Sequence, residues 1–404
     1  MRRWSSAGWH AWLVACVVGL AGARAAEAEP ALQSLARAAG AGQGVYAVAG
    51  DGTVLVQQAA SLAVHPASVT KVATTLALLE RLGEDHRFTT RLVATGPLRD
   101  GRVDGDLVVV ASGDPFVVDE SAILLLQKLG ARGVRRVAGT IAVRGELIFD
   151  WQPDPDGRRL ARVLTGAAGE EAWRAVARAN GDPRSFREAA LGVAGGAHAR
   201  SASASGDDGG RDLAVLRSPR LLHVVKVLNG YSNNVFHYAS DAIGGPSAVE
   251  AIARAHVPAE MRDEIVIENG AGAGTTNRLS PRAAVALLDA LSAQLAHGGH
   301  DLTAALPVSG FDPGTLEDRF AERPALVVGK TGTFGSVGAS ALVGALRSER
   351  YGTVRFAVLN HGVPVPEARR RQDDFVRELA ESVHATTWPY ARPTRPAYLE
   401  AQVD

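Results

Sequence analysis

The chain has 404 residues, of which 46% are hydrophobic and 21% are charged, so it holds enough apolar material for a sizeable core. Its 43 basic and 43 acidic side chains cancel, and this balance argues against nucleic acid or an acidic membrane surface as a partner. The length predicts one large domain with an insert, or two domains.

The N-terminus has the pattern of a signal peptide. Two arginines precede an apolar run at 11–23, and the Ala-Arg-Ala at 23–25 matches the small-x-small pattern that signal peptidase cleaves. The run is shorter than the ~20 residues of a transmembrane helix, so we expect export to the periplasm and no membrane span in the mature chain. A twin-arginine signal and a lipoprotein anchored through Cys16 stay open as variants. Cys16 is the only cysteine, which excludes disulfides and a cysteine nucleophile from the mature chain.

Hydrophobic periodicity predicts the helices and strands in the first half of the chain. Alternating patterns predict a hairpin at 44–59 and further strands within 87–110 and 134–149. Helical spacing predicts helices at 66–82 and 120–129. Residues 195–212 hold few large apolar side chains, so a loop or a disordered segment is expected there.

The second half continues with helices and ends with strands. Helices are expected at 221–242 with a break at Gly230, at 281–296 and at 366–384, and strands at 325–329, 337–347 and 354–359. Because strands occur at both ends of the chain with helices between them, we expect one sheet built from the N- and C-terminal segments, in an α/β (α+β) fold. The middle of the chain would then be an insertion.

Ser68 and Lys71 stand three residues apart at the start of the expected helix at 66–82. Residues at this spacing share one helix face, so the two side chains can hydrogen-bond. Serine is a weak nucleophile until a base takes its proton, and lysine can act as that base only when its pKa is lowered until it is neutral. Taken alone, the pattern is more typical of an N-cap serine and an exposed lysine.

A second motif, Lys-Thr-Gly-Thr, follows the apolar run at 325–329. A lysine on an edge strand with hydroxyl neighbours can bind a carboxylate, and the glycine lets a substrate backbone lie against the strand. By itself this motif equally describes a solvated edge strand. A third motif, Tyr231-Ser232-Asn233-Asn234, lies in the break between two helical segments, where by itself it is more typical of a turn.

The order of these three motifs resembles penicillin-binding proteins and active-site serine β-lactamases. The chain is most similar to class C low-molecular-mass penicillin-binding proteins, the D-alanyl-D-alanine carboxypeptidases/endopeptidases of peptidase family S13. The resemblance runs from about residue 44 to 362. Beyond the three motifs it includes Pro66-Ala67-Ser68, Gly113-Asp114-Pro115, Asn277-Arg278-Leu279-Ser280-Pro281, residues 329–344 and Asn360-His361-Gly362.

That resemblance implies a serine β-lactamase/penicillin-binding transpeptidase-like fold, with an antiparallel sheet flanked by helices and an inserted domain between the first two motifs. We accordingly expect a division into four parts. These are a signal peptide at 1–25, a catalytic domain from 26–90 and 220–390, an inserted domain at 91–219, and a C-terminal tail at 391–404.

It also implies roles for the motif residues in an acyl-transfer reaction. Ser68 would attack the carbonyl between two D-alanines of a peptidoglycan stem peptide, and Lys71 would accept its proton. Ser232 would relay a proton to the departing D-alanine, while Asn234 would hold the peptide and Lys71. β-Lactam antibiotics would acylate the same serine, and no metal or cofactor is implied.

Four consecutive residues would bind the substrate: Lys330, Thr331, Gly332 and Thr333. The resemblance implies that Lys330 and Thr333 bind the terminal carboxylate, and that the backbone N–H groups of Ser68 and Thr333 form the oxyanion hole. We further expect that the charge of Lys330 lowers the pKa of Lys71 by repulsion.

Two features depart from the family pattern. Where relatives have Asp-Gly-Ser-Gly-Leu-Ser, residues 269–274 read Asn-Gly-Ala-Gly-Ala-Gly, for which we expect a flexible turn. In addition, Tyr231-Ser232-Asn233 matches the Tyr-x-Asn of class C β-lactamases and related esterases, in which tyrosine transfers the proton. Two other functions therefore stay open: a β-lactamase or esterase of the same superfold, and a non-catalytic penicillin-binding or wall-binding protein.

Overall fold

The computed structural model describes residues 30–180, 190–199, 210–231, 233–394 and 396–404. The expected signal peptide, with Cys16, lies outside the described residues, and so does Ser232. None of the helices in the described ranges is long and apolar enough to cross a membrane.

Ten α-helices lie in the described part of the chain. They are α1 (Pro30–Gln33), α2 (Lys71–Leu82), α3 (Asp119–Ala131), α4 (Arg158–Leu164), α5 (Glu170–Asn180), α6 (Leu221–Gly230), α7 (Val235–Asp241), α8 (Gly245–Ala255), α9 (Pro281–His297) and α10 (Val365–Ser382). Short 3-10 helices occur at Ser34–Ala39, Ala67–Thr70, Ala259–Glu264, Leu302–Ala304, Gly335–Val337 and Ala397–Glu400.

Eighteen strands, many of them only two residues long, lie in the same ranges. The first nine are β1 (Gly44–Val48), β2 (Val54–Gln58), β3 (Thr89–Ala94), β4 (Leu98–Arg99), β5 (Arg102–Val103), β6 (Leu107–Ser112), β7 (Arg136–Val137), β8 (Ile141–Glu146) and β9 (Ile148–Phe149). The others are β10 (Gln152–Pro153), β11 (Gly192–Val193), β12 (Ala197–Ala199), β13 (Arg211–Arg217), β14 (Val328–Phe334), β15 (Ala339–Ser348), β16 (Gly352–Asn360), β17 (Ala385–Thr386) and β18 (Gln402–Val403).

One antiparallel sheet joins the two ends of the chain, as the sequence predicts. Its order is β14-β15-β16-β1-β2, with β17 paired to β15. Side chains of β15 and β16 alternate between two apolar layers, one shared with α2 and α9 and the other with α10. Because helices cover both faces, these strands are buried almost throughout, which is why they are rich in Val, Leu and Ala.

A second sheet, with its own apolar core, is built from the middle of the chain. Its order is β12-β8-β6-β3-β13-β18, and α3, α4 and α5 pack in the same apolar cluster. The last strand comes from the C-terminal tail, which pairs antiparallel with β13. On this arrangement we propose the division into a catalytic domain, an inserted domain at 91–219 and a tail that extends the sheet of the insert.

Three sequence expectations need correction. Residues 195–212 include β12, which pairs with β8, and the start of β13, because backbone pairing in a sheet does not need large apolar side chains. The residues between these strands, 200–209, lie outside the described ranges. The strand expected at 325–329 begins at Val328 and runs through the Lys-Thr-Gly-Thr motif to Phe334. The helix expected from residue 66 begins as a 3-10 turn, Ala67–Thr70, before α2.

Candidate active site

Ser68 and Lys71 lie at the junction of the 3-10 turn and α2, with their side chains together. Lys71 Nζ is 2.8 Å from Ser68 Oγ and donates to the carbonyl oxygen of Ala271 at 3.0 Å. Lys71 is fully buried and Ser68 is 6% exposed. This burial rules out the alternative of an exposed lysine beside an N-cap serine.

The environment of Lys71 favours its neutral form. Burial is the larger cause that lowers the pKa of Lys71 well below its ordinary value, and repulsion by Lys330 is the second. From the sequence we expected the repulsion by Lys330, whereas the extent of burial depends on the packing of distant segments. A neutral amine can donate one N–H to Ala271 and still accept the proton of Ser68.

Strand β14 brings the Lys-Thr-Gly-Thr motif against the nucleophile turn. This strand lies at the edge of the sheet. Gly332 is so close to the turn that a Cβ there would be 2.5 Å from the Pro66 carbonyl oxygen and 3.0 Å from the Ser68 nitrogen. Any side chain at Gly332 would therefore displace Ser68. The close approach leaves the free edge of the strand beside the serine.

Lys330 lies on the same strand and is also fully buried. Burial lowers its pKa to about 7, and its Nζ donates to the carbonyl oxygen of Thr331 at 2.9 Å. The hydroxyl of Thr331 donates to that of Thr315 at 2.5 Å, and the hydroxyl of Thr333 accepts from Arg369 at 3.1 Å. The motif thus supplies a titratable cation and two hydroxyl groups along one strand end.

The third motif lies in the connection between α6 and α7. Tyr231 packs edge-on against Trp151, with ring centroids 5.3 Å apart, and Asn234 is the N-cap residue just before α7. Within the described residues, Asn234 Oδ1 and both polar side-chain atoms of Asn233 are buried without a hydrogen-bond partner. Asn234 makes no hydrogen bond to Lys71 there, since Ala271 occupies that role. The choice between Tyr231 and Ser232 as proton donor stays a prediction.

The Gly- and Ala-rich segment 269–274 is an ordered wall of the site, whereas we expected a flexible turn. The Asn269 side chain accepts from the N–H groups of Ala271 and Ala273, and Asn277 donates to the Asn269 carbonyl oxygen. Gly272 has a φ of +81°, and a Cβ there would lie 1.9 Å from the carbonyl oxygen of Ala67. The small residues are therefore required for the segment to reach Lys71 with a backbone carbonyl.

Residue His65 supports the nucleophile turn in a way that the sequence did not reveal. Its Nδ1 accepts from the N–H of Ala67 at 3.1 Å, and its Nε2 donates to the carbonyl oxygen of Gly274 at 2.7 Å. Its ring stacks on Phe334 of β14, with centroids 4.8 Å apart. Burial lowers the pKa of His65, so the neutral ring needed for these two contacts is favoured. Ala67, the residue it holds, has a φ of +48°.

The sequence matches the model of one protein family over most of its length. This is the family described as D-Ala-D-Ala carboxypeptidase 3 (S13), and the matched residues are 28–156 and 154–382.

Two individual proteins are also similar to the chain in sequence. A D-alanyl-D-alanine carboxypeptidase of Actinomadura sp. is 36% identical over 115 residues, which is 26% of this chain and only 21% of that protein. Carboxypeptidase DacB of Mycolicibacterium smegmatis is 28% identical over 347 residues, 77% of this chain and 74% of the relative.

A solved structure confirms the expected fold. The Penicillin G acylated Bd3459 predatory endopeptidase from Bdellovibrio bacteriovorus, in complex with immunity protein Bd3460, is 20% identical with a TM-score of 0.72. The match covers 87% of this chain and 95% of the other.

Proposed function

The chain belongs to the D-Ala-D-Ala carboxypeptidase 3 (S13) family, and from this premise we propose that it is a serine-type D-alanyl-D-alanine carboxypeptidase/endopeptidase. Its substrates would be the stem peptides of peptidoglycan, and β-lactam antibiotics would acylate it. We further propose that the chain is exported and acts in the periplasm.

The observation that carries this proposal is the buried pair of Ser68 and Lys71. A fully buried lysine, 2.8 Å from a serine hydroxyl and with a lowered pKa, is suited to act as a base. The adjacent edge strand β14 supplies a surface on which an extended peptide can lie. Solved relatives include one acylated by penicillin G, which supports the expectation that Ser68 forms an acyl-enzyme.

In the first step, Lys71 takes the proton of Ser68 while Oγ forms a bond to the carbonyl carbon between two D-alanines. The carbonyl oxygen becomes negatively charged, and the N–H groups of Ser68 and Thr333 would bind it. Gly332 makes this possible, since only glycine lets the strand lie against the Ser68 nitrogen. The C–N bond then breaks, and the proton that Lys71 took from Ser68 passes through Ser232 or Tyr231 to the amine of the departing D-alanine, which leaves Lys71 neutral again.

In the second step, water attacks the ester carbonyl and Lys71 accepts a proton from that water. The bond to Ser68 Oγ breaks, and Oγ recovers a proton. During both steps, Lys330 and Thr333 would hold the terminal carboxylate and Asn234 the peptide backbone. The unpaired side-chain oxygen of Asn234 supports the last role, because a substrate N–H could donate to it.

The test is release of D-alanine from a synthetic peptide that ends in D-alanyl-D-alanine, compared with the same assay on Ser68→Ala. We expect release by the unchanged protein and none by the variant. A protein that hydrolyses benzylpenicillin rapidly and leaves the peptide intact would instead be a β-lactamase. A folded protein that neither cleaves the peptide nor forms a penicillin adduct would contradict the proposal as a whole.

A further inference from the structure

An exposed arginine of α10 lies beside Thr333, one of the two residues expected to bind the substrate carboxylate. Arg369 is in the first turns of α10, and its Nη2 donates to the hydroxyl of Thr333 at 3.1 Å. Helix α10 packs on the sheet behind β15, so the guanidinium reaches around the strand ends to the last hydroxyl of the motif. This contact places a cation beside a group expected to bind substrate.

Two other arginines, one on α10 and one packed against it, pair with carboxylates of that helix. Arg319 bonds to Asp373, and Arg371 bonds to Glu367. Among the residues that the structure describes, no carboxylate lies within ion-pair distance of Arg369. Because an arginine cannot be deprotonated in proteins, a permanent positive charge stands next to Thr333.

This charge complements that of Lys330, which changes near neutral pH. The pKa of Lys330 is about 7, so a large fraction of its side chains is neutral at physiological pH in the unliganded protein. A guanidinium keeps its charge and has five N–H groups in a planar fork, of which one serves Thr333. The others can bind a carboxylate oxygen in the same plane.

From this geometry we infer that Arg369 determines specificity by binding the carboxylate of the ligand together with Thr333, and so selects acidic over neutral ligands. The inference rests on the proposed function, because it concerns the same site. The ligand class is a D-amino acid residue, or a β-lactam, that carries a free carboxylate one residue beyond the bond that Ser68 attacks.

The experiment compares two ligands that differ only in charge: benzylpenicillin and its methyl ester. The second-order rate constant of acylation is measured by mass spectrometry for the unchanged protein, Arg369→Ala and Arg369→Gln. For benzylpenicillin we expect a loss of about tenfold in both variants, the size of one charge-assisted hydrogen-bond contact. For the ester we expect a change of less than about twofold. Arg370→Ala, the neighbouring exposed arginine, should keep both rates.

Each other outcome is informative. Equal losses with acid and ester would mean that Arg369 only holds Thr333 in place, and would overturn the inference. Unchanged acylation by benzylpenicillin would overturn it as well. If the unchanged protein forms no adduct with either ligand, the proposed function itself fails and this inference fails with it. Circular dichroism of each variant separates these results from misfolding.

Discussion

In the proposed mechanism, the two buried lysines, Lys71 and Lys330, have opposite requirements for pH. Lys71 must be neutral to take the Ser68 proton, so acylation should increase as pH rises through the lowered pKa of Lys71. Lys330 attracts a carboxylate only when protonated, and its pKa of about 7 predicts that activity falls above neutrality. We expect a bell-shaped dependence of kcat/KM on pH for a D-alanyl-D-alanine peptide. A kcat/KM that does not change with pH on either side of neutrality would contradict these roles.

Removing the charge of Lys330 should change both limbs of that profile. In Lys330→Met the falling limb should disappear, because the group that loses its proton is gone. The rising limb should move to higher pH, since the repulsion that helps to lower the pKa of Lys71 is lost. Lys128→Met, on α3 of the insert, is the control and should keep the original curve. A variant of Lys330 with an unmoved rising limb would show that the two lysines do not interact.

The two nitrogen atoms of His65 can be separated by substitution. Asn places a side-chain acceptor near the position of Nδ1, and Gln places a polar group near that of Nε2. Because the Ala67 N–H is buried, loss of its acceptor should cost about 1–3 kcal/mol and lower kcat by roughly tenfold or more. We therefore expect His65→Gln to lose kcat with little change in KM, and His65→Asn to keep most of it. Equal losses in the two variants would refute the role of Nδ1.

A contact between residues close in sequence could be predicted from the sequence. Contacts between residues far apart in sequence could not. The pairing of Ser68 with Lys71 follows from three-residue spacing on one helical turn. His65 contacts Gly274 and Phe334, which are more than 200 residues away in the chain. Only the fold brings them together, so the position of His65 beside the motif indicated a possible supporting role but not its contacts.

At the scale of elements, the segment 269–274 should tolerate no side chain at Gly272. Gly272→Ala would place a Cβ 1.9 Å from the carbonyl oxygen of Ala67, beside the nucleophile. Gly299→Ala is a matched control, since Gly299 has a φ of +76° with no atom within 4 Å of its Cβ position. Both variants bear the cost of about 1–2 kcal/mol for an L side chain in the left-handed region, so the difference between them reports the contact.

The measurement for this pair combines urea unfolding with the rate of penicillin acylation. We expect Gly299→Ala to acylate normally. Gly272→Ala should be less stable than the control by roughly 1–3 kcal/mol, the usual cost of overpacking, and should acylate more slowly. If the two variants behave alike, the segment is not the rigid wall that its hydrogen bonds indicate.

Helices and strands were predictable where a hydrophobic pattern extends over many residues. They were not predictable where backbone hydrogen bonds alone hold the segment. The helix at 281–296 and the strands of the central sheet follow from buried apolar residues, and the observed bounds differ by a few positions. β12 and the wall at 269–274 are held by backbone hydrogen bonds of small residues. Such residues carry no periodic signal, so the sequence predicted loops.

For the molecule as a whole, the C-terminal tail contacts both of the domains that we propose, through β18 on one side and Glu400 on the other. Glu400 bonds to Arg87 and Arg220, both at 3.0 Å, and also to His223 of α6. Removing it in Glu400→Ala takes away the carboxylate that Arg87 and Arg220 share, so stability should fall by about 1–2 kcal/mol. Urea unfolding checks this, with the exposed Glu381→Ala on α10 as the control. Equal midpoints for the two variants would contradict a stabilising role of Glu400.

The shared sheet was predictable from the order of elements, since strands lie at both ends of the chain, and the inserted domain was implied by the family resemblance. The tail was not, because β18 has only two residues and its partner strand lies in the insert. Its contacts with β13 and with Arg87 depend on the relative placement of the two sheets. The residue pattern of a short polar segment does not indicate which strand it will pair with.

The central claim is that Ser68 becomes acylated with Lys71 as its base. The most direct measurement is the intact mass of the purified protein after incubation with benzylpenicillin, followed by peptide mapping of the adduct. We predict one adduct, located on Ser68, whose formation is abolished in Ser68→Ala and greatly slowed in Lys71→Ala. An adduct that persists in Ser68→Ala, or that maps to another residue, would contradict the account.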